Sequence, residues 1–313
     1  MKPITKIMVG LDRTELDSTL IRYCSFICNN SDASEVYFIN ILKNFDIPEE
    51  VQKEFPNLIE SALEDRRDEI EKDIKKYFLN ESVNVHLIVD RASSGTRVIL
   101  KELDRHEIDL LILGRKRNLQ GTGILTQRLA RRASTNLLIV PEGSDSKLAK
   151  EPLVKKILVP VDFSRHSLSA LEHAISIGHR MNEEVEIICV NAYKVPVGYH
   201  YTGKSFEEFS QIMKKHAQRN FNDFVKKIDN KGLNVVTRFV LDKKEDFVAC
   251  IYDFAVKNKV DGMIFGAKGR TAASALFLGS IAEKMIKLDS EFPLMVVRQK
   301  GDNAGFLDYI KEI

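Results

Sequence analysis

The sequence has no apolar run approaching the roughly 20 residues that cross a bilayer, which excludes a membrane-spanning helix from its reading. It also lacks a charge excess: 47 Lys and Arg stand against 45 Asp and Glu, a formal net of +2. The totals give no electrostatic case for nucleic acid or an anionic membrane surface. Cysteine is scarce, with four in 313 residues. Cys24 and Cys28 lie four apart on an expected helix, but no second Cys/His pair completes a zinc set. Together with Cys189 and Cys250 they read as apolar filler in a reducing compartment. The opening MKPITKIMVGLD enters a strand-like segment without the apolar region of a signal peptide, so a cytoplasmic location is expected.

What is present is a repeat. KIMVGLD at 6–12 returns as KILVPVD at 156–162, and VYFINI at 36–41 as VEIICV at 185–190. VNVHLIVD, IDLLILG and NLLIVP return in the same order as LNVVTRFVLD, VDGMIFG and PLMVVR. The period is a whole domain, too long for a solenoid. Each strand is a short run of Ile, Val, Leu and Met, as expected when helices cover both faces of a parallel sheet. Between them lie amphipathic patterns such as SALEDRRDEIEKDIKKYF, with Leu63, Ile70, Ile74 and Phe78 on one face. The expected fold is α/β, two tandem doubly wound parallel five-stranded sheets. The expected domains are 1–145 and 152–300 with a tail at 301–313, the seam being EGSDSKLAKEPLVKK.

One stretch carries chemistry: GAKGRTAASALFLGS, residues 266–280, directly after the fourth strand of the second half. Ligands in such sheets bind beyond the carboxyl ends of the strands. Gly266 and Gly269 would allow a tight turn and bring backbone N–H groups towards an anion. Gly279 and Ser280 then open a helix, whose N-terminus suits a phosphate, and the Ser280 hydroxyl can cap that helix or bond a phosphate oxygen. Lys268 and Arg270 add mobile positive charge. The competing reading is turn and capping chemistry alone. The stretch is neither a Walker loop nor a dinucleotide fingerprint, which would follow the first strand.

The order KILVPVDFS, VEIICVNAY, G-x2-G-x9-G-S and PLMVV resembles the universal stress protein family, in its tandem form, over residues 4–141 and 154–298. The second-half glycine motif matches the ATP-binding branch at every defined position. The resemblance implies that Pro160, Val161 and Asp162 line an adenosine pocket, with Asp162 accepting from adenine or ribose. Asp162 can equally be an N-cap or turn residue. Val190 would present an apolar surface to adenine; Phe265 could do so too, or simply belong to the core. Gly266, Gly269, Gly279, Ser280 and Ile281 would supply backbone contacts to ribose and phosphates. ATP with Mg2+ is the implied ligand, and an unidentified protein is the implied partner. NLLIVP and PLMVVR are expected to pair edge to edge within the chain, and the resemblance leaves room for a homodimer.

The first half departs from the motif. In GRKRNLQGTGILTQRLARRAS, residues 114–134, Arg117 replaces the second glycine and Gly123-Ile124 replaces Gly279-Ser280. Gly114 to Gly123 spans nine positions where Gly266 to Gly279 spans thirteen, a loop too short to wrap a triphosphate. Asp12 survives. Weak or absent ATP binding is expected there; the arginines suit another anion or a solvated face. His166, His173 and His179 recur on one expected helix without a carboxylate or Cys partner for a metal. No nucleophile elbow and no carboxylate pair beside the glycine loop are evident. The sequence thus reads as an ATP-binding stress sensor. A slow ATPase or phosphotransferase, or a nucleotide-free scaffold, are the alternatives.

Overall fold

The computed structural model describes residues 3–43, 47–117, 124–144, 154–181, 185–226, 228–269 and 278–299. The chain divides into two compact units between residues 152 and 153.

In the first unit the strands are β1 (Lys6–Leu11), β2 (Glu35–Lys43), β3 (Asn84–Ala92), β4 (Leu110–Arg115) and β5 (Asn136–Pro141). The helices are α1 (Leu16–Asn29), α2 (Glu49–Glu54), α3 (Leu58–Tyr77), α4 (Gly95–Arg105) and α5 (Ile124–Arg132). Strand order is β3-β2-β1-β4-β5, every neighbour parallel. The second unit has β6 (Lys156–Pro160), α6 (Arg165–Arg180), β7 (Glu186–Tyr193), a 3-10 turn (Val197–Thr202) and α7 (Phe206–Val225). It continues with β8 (Asn234–Leu241), α8 (Phe247–Lys257), β9 (Gly262–Gly266), α9 (Ser280–Lys287) and β10 (Leu294–Val297). Its order, β8-β7-β6-β9-β10, repeats that of the first unit, again all parallel. The expected doubly wound α/β class is the one observed.

The central strands are apolar because both faces are covered: Ile7, Met8 and Val9 on β1, and Leu158 and Val159 on β6, have no exposed surface. Helix starts are written in side chains. Ser164 caps α6 by accepting from the Ser167 N–H, and Asp246 caps α8 by accepting from Val248 and Ala249. Ser205 and Glu208 form a reciprocal capping box on α7. The strand order reverses between β1 and β4, and between β6 and β9, so each unit has one switch point at its strand ends.

Two features recur at both switch points. A buried asparagine on the second strand donates to the carbonyl ending the first: Asn40 Nδ2 to Leu11 O at 2.9 Å, and Asn191 Nδ2 to Val161 O at 2.7 Å. Just beyond the first strand a non-glycine residue adopts left-handed backbone, Arg13 at φ 64° and Phe163 at φ 67°. Neither has an obvious reason in its own side chain. Both turns aim the following helix back over the sheet.

Candidate functional site

A cavity of about 850 Å³ opens at the carboxyl ends of β6, β7 and β9. That is within the size range of ligand pockets. Its floor is the end of β6 (Pro160, Val161, Asp162) and the end of β9 with the residues beyond it (Phe265, Gly266, Lys268, Gly269). The start of α9 closes one side through Gly279, Ser280 and Ile281. The far wall is made by α7 and α8, through Met213, His216, Asn220 and Ile251 among others.

The structure brings together every expected binding residue except two. Val190 has no exposed surface and does not line the cavity. Its carbonyl accepts the Val161 N–H at 2.8 Å, and β7 reaches the cavity with the next residues, Asn191 and Ala192. Arg270 lies outside the described residues, as do 271–277. Phe265 belongs to the core, being 4% exposed, and is also part of the lining.

The glycines are needed for space. None of the three adopts left-handed backbone, and Gly279 has φ −64°. A Cβ on Gly266 would sit 2.7 Å from His166 Cβ and 2.8 Å from its carbonyl carbon and oxygen, inside the first turn of α6. On Gly269 it would come within 3.0 Å of Asp162 Oδ2, and on Gly279 within 3.2 Å of Lys268 Cα. The expected tight turn is therefore a close packing of three backbone segments, with the start of α9 pressed onto residues 267–269. The Gly279 N–H donates to Ala267 O at 2.8 Å and fixes that contact.

Three further expectations are narrowed or changed. Ser280 is the first residue of α9 and Gly279 occupies its cap position, so the hydroxyl does not cap the helix. Lys268 is 7% exposed, which makes its charge a fixed part of the wall instead of a mobile surface group. Asp162 is a turn residue and not the N-cap: its Oδ1 accepts the N–H of Ser164 at 3.0 Å, and Ser164 is the cap.

At the corresponding strand end of the first unit, the described side chains bond the chain's own groups. Asp17, at the position of Ser167, is 3% exposed and accepts the N–H groups of Asp12 at 3.1 Å and Arg13 at 2.9 Å. Burial pushes its carboxyl up to about 6 despite these hydrogen bonds, which favour the charged form. Arg13 turns outward to Glu69 at 2.6 Å and Asp73 at 3.3 Å, both on α3. Its counterpart Phe163 packs edge-on against Phe224, ring centroids 5.9 Å apart. On β4, Gly114 is crowded by Leu16 and Leu20 of α1, and beyond the strand the Arg117 N–H donates to Glu142 at 3.3 Å. Gly123 lies outside the described residues, while Ile124 begins α5.

The remaining candidates are structural where described. His173 is buried on α6 with Nδ1 against Ser169 O at 3.0 Å, and burial lowers its pKa. Cys24, Cys28 and Cys189 are buried free thiols. Among the described residues no group of three or more His, Cys, Asp or Glu could hold a metal ion, and no helix is long and apolar enough to cross a membrane.

Sequence reasoning missed the two clamping asparagines, Asp17, and the α7 wall of the cavity. The asparagines had a signal, since a polar residue recurs at the same place in two buried strands. His216 and Asn220 had none, because polar residues on an amphipathic helix look like its solvent face.

Comparison with known proteins agrees with the geometry. A universal stress protein of Methanocaldococcus jannaschii is 32% identical over 149 residues, 48% of this chain and 85% of that protein. A second from the same organism is 28% identical over 162 residues, covering 48% of this chain and 98% of its own length. Among solved structures, a universal stress protein from Archaeoglobus fulgidus superposes with a TM-score of 0.62 at 14% identity, over 96% of this chain and 98% of the other. The model of the universal stress protein family matches residues 3–141 and again 154–298. The chain belongs to the universal stress protein family, as a tandem of two family domains.

Proposed function

We propose that this protein binds ATP at one site, in the second unit, and acts as a nucleotide-dependent stress protein. The observation that carries this reading is the cavity itself. Glycine stretch, β6 end and α9 start converge there, around a buried lysine. The fit is steric as well as chemical. Gly269 and Gly279 hold the loop so close to Asp162 and Lys268 that a side chain at either position would intrude. The N-terminus of α9 has no side-chain cap; with the Gly279 N–H held by Ala267 O, the first-turn N–H groups from Ser280 onward and the helix's partial positive charge face phosphate oxygens. Phe265 and Val161 offer apolar surface, and Asp162 is the carboxylate of the described lining. Mg2+ is held chiefly by phosphates and water and needs no more than one or two protein carboxylates.

The first unit does not bind ATP in this reading. Asp17 occupies its strand-end N–H groups, and Arg117 stands where Gly269 makes its close approach. Calorimetric titration of the nucleotide-stripped protein with Mg-ATP should give one site per chain, abolished by Gly279→Arg. Absence of heat and of a thermal shift at saturating ATP would return the protein to a nucleotide-free scaffold. Phosphate release that depends on Gly279 would instead make it a slow ATPase.

A further inference from the structure

Most polar groups lining the cavity are already committed. Asn191 holds the Val161 carbonyl, Ser167 bonds Ser164, Tyr193 meets Ser210 at 3.5 Å and Lys194 meets Glu245 at 3.9 Å. A different pair stands on α7, on successive turns. Asn220 Nδ2 donates to His216 Nε2 at 3.2 Å, and both residues face the cavity from a wall otherwise made of Met213, Ala217, Phe247 and Ile251.

The sheet order sets which end of a nucleotide meets them. The glycine stretch follows β9, α7 follows β7 and packs on it, and β6 lies between. Adjacent strands are about 4.8 Å apart, so the α7 wall stands roughly 10 Å from the glycine end. A nucleotide anchored by its phosphates at Gly269 and Gly279 and crossing the β6 end places its base under α7.

We infer that Asn220, oriented by His216, reads that base and selects adenine over guanine. The inference rests on the nucleotide reading above. With one N–H given to His216, Asn220 keeps its carbonyl oxygen and one N–H for the ligand. An acceptor beside a donor pairs bidentately with the amino group and adjacent ring nitrogen of adenine. Guanine presents a carbonyl where adenine presents the amino group, so oxygen would face oxygen. His216 matters because, in this arrangement, its Nε2 takes one amide N–H and so holds the Asn220 carbonyl oxygen towards the ligand. His216 is thus a positioning residue and Asn220 the reading one.

The test is titration of the full chain with Mg-ATP, Mg-GTP and inorganic tripolyphosphate, in wild type, Asn220→Ala and His216→Ala. His216 is exposed and Asn220 half-buried, so neither variant should disturb folding, which circular dichroism checks. Wild type should prefer ATP over GTP by about tenfold or more. Asn220→Ala should bring that ratio near one with tripolyphosphate affinity unchanged, and His216→Ala should lower it part of the way. A ratio that survives Asn220→Ala, or a wild type without preference, overturns the inference while the nucleotide site stands. If neither the nucleotides nor tripolyphosphate bind, the site reading falls and takes this inference with it.

Discussion

Replacing Gly266 by alanine should destabilise the second unit whether or not any ligand is present. The added Cβ meets three atoms of His166 at 2.7 to 2.8 Å, and two of them are backbone. Rotating a side chain cannot relieve that contact; the end of β9 or the first turn of α6 must move. Overpacking of this kind costs about 1–3 kcal/mol. For a domain of this size each kcal/mol lowers the melting temperature by about 2–4 °C, which gives a fall of about 2–12 °C. Differential scanning calorimetry of the apo protein reads it directly. Gly262→Ala on the same strand is the control, since its nearest neighbour, Pro293 O, lies at an ordinary 3.5 Å, and a smaller loss is expected. If Gly266→Ala melts with the wild type and loses only ATP affinity, the glycine serves the ligand, and the packing argument is wrong.

Other perturbations have equally definite outcomes. Asp17 has its carboxyl raised from 3.8 to about 6, so its protonated form is favoured by folding by about 3 kcal/mol. That contribution is fully present below pH 3.8 and lost as pH rises through about 6; urea midpoints should show Asp17→Asn flattening this fall. Asn191→Leu leaves the buried Val161 carbonyl without its side-chain donor and should cost about 1–3 kcal/mol by chemical denaturation. Gly279→Ala needs neighbours at 3.2 to 3.4 Å to yield only slightly, so stability should drop by no more than about 1 kcal/mol. Its ATP affinity should fall further than its stability, as read by titration.

The sheet of each unit was legible because buried parallel strands are written as short aliphatic runs, and a duplicated chain prints them twice. The glycine stretch was legible as a place and not as a cause. Spacing marked Gly266, Gly269 and Gly279, but only coordinates separate a glycine that must bend from one that must leave room, and here all three leave room. Val190 was misplaced along the strand: it lies inside the sheet, and the residues that follow it, Asn191 and Ala192, are the ones that reach the cavity at the strand end. The mobility expected of Lys268 and the capping role open to Ser280 failed for a related reason. Burial and helix phase are set by how α9 presses on the loop, which residue spacing alone does not encode.

Asp17 also changes what the first unit is. Its carboxylate binds two strand-end amides from only four and five residues away along the chain. Bound groups on short tethers compete at effective concentrations of millimolar or more, with no dissociation into bulk. The first unit is in this sense permanently liganded, by an anion that never leaves. On the proposed one-site reading, a cell's nucleotide level would act on one half of the molecule, while the other keeps its strand-end amides occupied by Asp17.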